Sequence, residues 1–184
     1  MTFPVEPAGA EPDAELIARW QSGDERAATL LVERHAPALT RFVASLGVRV
    51  DVEEVVQDTF VRAFGSLDAF RGDSALRTWL FTIARRLVLD RRRAVLRIGA
   101  AVDLDEADAA TEYDALDGVV ADETVRRLEG ALGRLTPTQR EVFLLRVNEG
   151  LSYKEIAQVA GTTEGAARVH YHNAMRTVKE LLDA

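Results

Sequence analysis

The sequence predicts an all-α protein made of two small helical domains, and three observations carry that prediction. Apolar residues recur at spacings of three and four along almost every ordered stretch, and no segment alternates convincingly as a strand would. Helix-start signals stand where those stretches begin. Between the two sets of stretches, residues 98–125 hold nine acids and no base, and apolar periodicity fades there. The division is a tail at 1–12, a first domain at 13–97, an acidic linker at 98–122 and a second domain at 123–184.

The tail, Met1 to Pro12, has no basic segment followed by an apolar run, so it does not read as a secretory signal, and it is expected to be floppy. The first long helix is predicted from about Asp24 to Leu46, with Gly47 as its stop. Ala27, Leu30, Leu31, Arg34, Leu39, Phe42 and Val43 mark its faces. A second helix should start at Asp51, where Asp51 and Glu54 have the spacing of a cap box. Val56, Phe60, Ala63 and Leu67 then form one inward stripe. A third helix follows Asp73 or Ser74 and turns Leu76, Leu80, Ile83, Ala84 and Leu87 inward; Trp79, at helix spacing from Ile83, reads as core.

Order returns with Val125, Leu128, Leu132 and Leu135. Thr136-Pro137-Thr138-Gln139 and Ser152-Tyr153-Lys154-Glu155 are both capping boxes by spacing, the first with Pro at the opening helical position. The second box starts a short helix to Ala160, with Ile156 and Ala157 inward and Gly161 as a left-handed turn, after which a long helix runs on. There Ala167, Tyr171, Ala174 and Val178 pack downward, while Glu164, Arg168, Val169, His172 and Arg176 face out. This is the pattern of a helix-turn-helix, whose second helix can enter a major groove. An ordinary αα-hairpin that touches no nucleic acid has the same periodicity.

The chain has a formal net charge of -7, which looks wrong for a DNA-binding protein until it is divided. Residues 1–73 carry -6, 74–97 carry +6, 98–125 carry -9 and 126–184 carry +2. Charge sorted in this way presents different faces to different partners. The absence of cysteine excludes disulfides, thiolate metal sites and thiol catalysis, and fits a cytoplasmic protein. No apolar run is long enough to span a membrane. No grouped carboxylates, phosphate loop or nucleophile-base pattern suggests an enzyme, and no cofactor is expected. His170 and His172 are two apart and cannot share a metal on a helix, so no metal site is expected either.

Two motif sets resemble a known family. Asp51-Val-Glu-Glu-Val-Val-Gln-Asp-Thr-Phe-Val-Arg-Ala-Phe and Phe70-Arg-Gly-Asp-Ser-Ala-Leu-Arg-Thr-Trp-Leu-Phe-Thr-Ile-Ala-Arg-Arg resemble region 2 of the sigma-70 family. Leu135-Thr-Pro-Thr-Gln-Arg-Glu-Val-Phe-Leu-Leu-Arg and Gly150-Leu-Ser-Tyr-Lys-Glu-Ile-Ala resemble region 4. Two regions in this order, without the third domain of primary factors, is the layout of the extracytoplasmic-function (ECF) subfamily. The resemblance implies a transcription initiation factor with three kinds of partner: core RNA polymerase (its β′ coiled coil and β flap), promoter DNA and an anti-sigma factor.

Residue roles follow from the resemblance. Asp51, Glu54, Gln57, Asp58 and Arg62 would grip the β′ coiled coil, although a solvated charged face has the same composition. Phe70, Arg71, Asp73, Ser74 and Arg77 would read a flipped base of the minus-ten element. Arg77, Arg85, Arg86, Arg91, Arg92 and Arg93 would neutralise phosphates nearby; a helix C-terminus complementing its dipole explains two such arginines, not six. The acidic linker would thread the polymerase cleft as a stand-in for RNA, or serve as a plain tether. Thr163, Glu164, Arg168, Val169, His172 and Arg176 would contact the minus-thirty-five element. Where the family commonly has basic residues this chain has His170, Asn173 and Met175, and Val169 replaces a small polar residue, so minus-thirty-five binding should be weaker and less salt-sensitive. A stand-alone helix-turn-helix regulator is the competing reading; it has no use for the polar face at Asp51 to Arg62.

Overall fold

The computed structural model describes residues 11–46, 51–70, 72, 74–99 and 123–182, and within them every regular element is helical. The expectations for the tail before residue 11, the stop at Gly47, Arg71, Asp73 and the acidic linker lie outside these residues.

The first half holds α1 (Asp13–Gln21), α2 (Glu25–Ser45), α3 (Val52–Gly65), a 3-10 turn at Leu67–Ala69, and α4 (Leu76–Gly99). The second holds α5 (Glu123–Gly133), α6 (Pro137–Val147), α7 (Tyr153–Ala160) and α8 (Glu164–Leu182). Helix α1 had no counterpart in the periodicity reading, because its nine residues bury only Leu16 completely. It is tied down by charge instead. Asp13 accepts from Arg34 Nη1 at 2.6 Å and meets His35 Nε2 at 2.9 Å. Burial raises the Asp13 pKa, but the hydrogen bonds and charges of His35 and Arg34 outweigh it and hold the carboxyl below its ordinary value.

Helix α2 starts where expected, with the Asp24 carboxylate accepting from Arg26 N. Its core face is Ala27, Leu31, Ala38, Leu39, Phe42 and Val43, while Leu30 lies on the exposed side. The cap of α3 is half of the expected box. Asp51 accepts from Glu54 N at 3.1 Å, but the Glu54 carboxylate does not return to the Asp51 backbone; it is drawn to Arg91. Val56, Phe60, Ala63 and Leu67 are all buried, Leu67 by way of the 3-10 turn after α3 has ended.

In α4 the expected stripe is buried except for the half-buried Ile83. Thr78, Phe81 and Val88 are buried too, on a second face. A helix covered on two sides has two sets of neighbours. The first set is α2 and α3; the second includes α7. Val142, Leu145, Leu151, Ile156, Val159 and Ala167 from the second half belong to one apolar cluster with Phe42, Phe81, Ala84 and Val88 from the first. A smaller cluster, including Leu132, Leu135, Phe143, Ala174 and Val178, holds α5, α6 and α8 together.

Both capping boxes of the second half are complete, at Thr136/Gln139 and Ser152/Glu155. Gly161 closes α7 with φ +65, the left-handed conformation in which a Cβ is unfavourable. Ala157 is half-exposed rather than inward; Val159 and Ala160 join Ile156 in the packed face.

Candidate promoter and polymerase interfaces

Helix α3 presents Asp51, Glu54, Gln57 and Arg62 to solvent opposite its buried stripe, with Asp58 half-buried at the edge. Val61 is 71% exposed among them, an apolar centre in a polar rim. The face is not left to solvent alone. Arg91 reaches across from α4 and donates to Glu54 Oε2 at 2.9 Å and to Asp58 Oδ2 at 2.6 Å. The hydrogen bond to Glu54, opposed by burial and helped by Asp58, raises the Arg91 pKa. Arg91, expected among the phosphate contacts, pairs in this structure with the acids of α3.

The other arginines of α4 sort in the same way. Arg77 and Arg85 are spoken for by carboxylates of the second half: Arg77 pairs with Glu149, and Arg85 Nε donates to Glu141 Oε1 at 2.6 Å. Burial, and the charge of Arg41 nearby, lower the Arg77 pKa, with Glu155 opposing. Burial pushes the Glu141 carboxyl up, and Arg85 pulls it back only in part. Arg86, Arg92, Arg93 and Arg97 are exposed; Arg93 pairs with Asp90 of its own helix at 3.3 Å, and Arg97 Nε donates to the Arg93 carbonyl. Phe70 lies at 5.1 Å from the Trp79 ring, both half-buried, so Trp79 props the aromatic from behind as a core residue would. Ser74 is half-buried beside this pair in sequence.

On α8, Glu164, Arg168, Val169, His172 and Arg176 are exposed together, as the periodicity requires. Thr163 caps the helix, its Oγ1 accepting from Ala166 N at 3.1 Å. Arg168 donates to Glu164 at 3.1 Å and lies over the Tyr153 ring at 4.9 Å, so the α7 aromatic holds its guanidinium in place. His170 and Asn173 are half-buried, and Met175 is 39% exposed. Among the described residues no group of three or more His, Asp or Glu is placed to hold a metal, and no helix is long and apolar enough to cross a membrane.

Comparison with known proteins places this geometry. Residues 31–97 match the model of sigma-70 region 2, and residues 126–178 match that of sigma-70, region 4. CnrH, an RNA polymerase sigma factor of Cupriavidus metallidurans, is 35% identical over 95% of this chain and 96% of its own. The ECF RNA polymerase sigma-E factor of Haemophilus influenzae is 32% identical, covering 91% of this chain and 93% of its own. The chain belongs to the sigma-70 family, in its ECF branch.

Two solved structures resemble this sigma factor as a whole. CnrH in complex with the cytosolic domain of CnrY has a TM-score of 0.66 at 33% identity, covering 94% of this chain and 98% of its own. RpoE of Bartonella quintana, in complex with the anti-sigma factor NepR, has a TM-score of 0.64 at 28% identity, covering 85% and 96%. The sigma factor is thus a transcription initiation factor that directs RNA polymerase to promoters. What sequence reasoning missed is the set of carboxylates at the seam between its halves. Their signal was present: Arg140 to Leu145 is a run of six buried residues in which charge is mixed with Val, Phe and Leu. A helix buried all round is not a surface helix.

Proposed function

We propose that this sigma factor docks on core polymerase through the α3 face of Asp51, Glu54, Gln57, Asp58 and Arg62, with Arg91 as an added member that holds two of the acids in register. Single-stranded minus-ten DNA lies along Phe70, Arg71, Asp73, Ser74 and Arg77 and the arginines that follow on α4. The minus-thirty-five element meets Thr163, Glu164, Arg168, Val169, His172 and Arg176. The observation that carries the reading is the pairing, in one chain, of a polar α3 face around exposed Val61 with a separate capped recognition helix whose outer face is open. A free repressor needs only the second. The role is a non-enzymatic, cytoplasmic one without a cofactor, since the polymerase supplies the chemistry. Control by an anti-sigma protein completes the proposal, supported by the two structural neighbours having been solved with partners bound.

Pull-down of purified core enzyme and run-off transcription test the reading. Asp58→Arg puts a cation beside Arg91, and like charges at an interface cost several kcal/mol, so core affinity should fall by about 100-fold. Binding of the variant to free DNA should be unchanged. A soluble, folded wild-type chain that neither binds core nor supports any promoter-dependent product overturns the proposal.

A further inference from the structure

Two arginines on the outer face of α8, Arg168 and Arg176, are held differently. Arg176 is exposed and has no ion pair or ring contact among the described residues. Arg168 is exposed too, yet it is fastened twice. Its Nη2 donates to Glu164 Oε1 at 3.1 Å, and its Cζ lies over the Tyr153 ring, 4.9 Å from the centroid. The ion pair is a weak fastener: the two side chains are 55% and 53% exposed, and pairs in water contribute little. The ring differs in being fixed itself.

Tyr153 opens α7 and is half-buried. Its ring meets Tyr171 of α8 edge-on at 5.9 Å, and Tyr171 in turn stacks on the buried Phe143 of α6 at 6.3 Å. A second guanidinium, that of Arg146, lies over the same ring at 5.0 Å, and Arg146 Nη1 is tied to the Leu151 carbonyl at 2.7 Å. A line of aromatic contacts therefore runs from the core of the second half out to Arg168. The capping box beside Tyr153 is made by Ser152 and Glu155 and does not use this side chain. Its hydroxyl has no hydrogen-bond partner among the described residues, so what Tyr153 supplies is the ring.

An aromatic face attracts a guanidinium through the charge distribution of the ring. It does so without accepting from the in-plane N–H donors, which a carboxylate would consume. A guanidinium that is fixed in place and still has free donors suits bidentate reading of guanine O6 and N7. A phosphate contact has no such need, and an unfastened cation such as Arg176 serves it. Arg168 stands in the second turn of α8, in the half of a recognition helix that comes to base edges. We propose that Tyr153 is a positioning residue of the promoter interface: its ring fixes Arg168 for the reading of one guanine. This inference rests on the reading that α8 meets the minus-thirty-five element.

The outer face of α8 is exposed in the free chain, so the full-length protein is tested alone, on short DNA duplexes randomised over their central positions. Sequencing the bound and unbound fractions gives the base preference at each position. Wild type should favour guanine at one position, and Arg168→Ala should lose that preference. Tyr153→Phe, which keeps the ring, should retain it. Tyr153→pentafluorophenylalanine keeps the ring shape but withdraws negative charge from its face, and should reduce the guanine preference about fivefold. Preferences at the other positions should stand, which a merely structural role of Tyr153 would not allow. An unchanged guanine preference in the fluorinated chain, or a uniform loss at every position with the helical signal kept, overturns the proposal and leaves the assignment of α8 to DNA intact. A wild-type chain without preference, or an Arg168→Ala chain that keeps it, overturns both. If the fluorinated chain loses its helical signal, wild type decides by NMR. The Arg168 Nε proton must then resonate upfield of that of Arg176, as a proton held over a ring does, and coincident resonances overturn the proposal.

Discussion

The capping box at Ser152 carries a quantitative prediction, because it ties the helix-turn-helix to α4 as well as starting α7. The Ser152 Oγ accepts from Glu155 N at 3.3 Å and donates to Glu155 Oε2 at 2.7 Å, while Ser152 N donates to the same carboxylate at 2.8 Å. The other carboxylate oxygen receives the buried Thr78 hydroxyl at 3.1 Å. Ser152→Ala removes the cap acceptor and should cost about 1 kcal/mol. In a chain of this size that lowers the melting temperature by roughly 2–4 °C. Glu155→Ala removes the reciprocal half of the box and the charge-assisted bond from Thr78, so its cost should be roughly 2–3 kcal/mol. The two changes share a hydrogen bond, and the double variant should be less destabilised than the sum by about 0.5–1 kcal/mol.

The sign of the pH effect is fixed by the same contacts. Burial raises the Glu155 pKa, but the bonds from Ser152 and Thr78 prevail and hold it below its ordinary value. The stability it lends is therefore whole at neutral pH and is lost as pH falls through the depressed folded value. Urea titrations of the four proteins, at neutral pH and again in the acid range, measure all of this. Additive costs for the two substitutions, or a Glu155→Ala cost that does not shrink in acid, would refute the reasoning.

Two further outcomes follow from single contacts. Asp13→Asn should weaken the attachment of α1 by roughly 1–3 kcal/mol, since it loses the charge that Arg34 and His35 face; hydrogen exchange of α1 amides reads the detachment. The difference from wild type should disappear as pH falls through the depressed Asp13 pKa. Gly161→Ala should cost about 1 kcal/mol in a urea melt, from left-handed backbone strain alone, because the nearest atom to the new methyl is at ordinary contact distance. A cost several times larger would mean that the turn meets more than the Arg85 guanidinium.

The parts of this molecule that were legible in its sequence are those decided by neighbours in sequence. A capping box needs residues three apart, so Thr136/Gln139 and Ser152/Glu155 could be read directly, and both are complete. The stripe Val56, Phe60, Ala63 and Leu67 is a local pattern and is buried as read. The left-handed turn at Gly161 follows from the residue itself. What could not be read is pairing between residues far apart in sequence. Glu54 has the right spacing for a reciprocal cap, but Arg91, 37 positions away, binds it. Arg77 and Arg85 look like part of a cationic surface, but Glu149 and Glu141 take them. Helix α1 was not read as a helix because Asp13 fastens it to a helix of which it is not a part.

The α4 contacts have a common physical form: a charge that local reading offers to an outside partner is paired inside the chain, Arg91 with the α3 acids, Arg77 and Arg85 with the second half. Net charge by segment measures what each segment would offer if it were alone, and so it overstates what the folded chain offers to DNA. Four arginines of α4 remain facing outward, Arg86, Arg92, Arg93 and Arg97. Binding to a single strand should accordingly show a salt slope near that of four phosphates, about -3, and a steeper one, about -4, in a Glu141→Gln/Glu149→Gln variant in which Arg77 and Arg85 lose their carboxylates. A slope already at the steeper value in wild type would mean that the interior carboxylates compete poorly, and that the charge sorting visible in the sequence is what DNA meets.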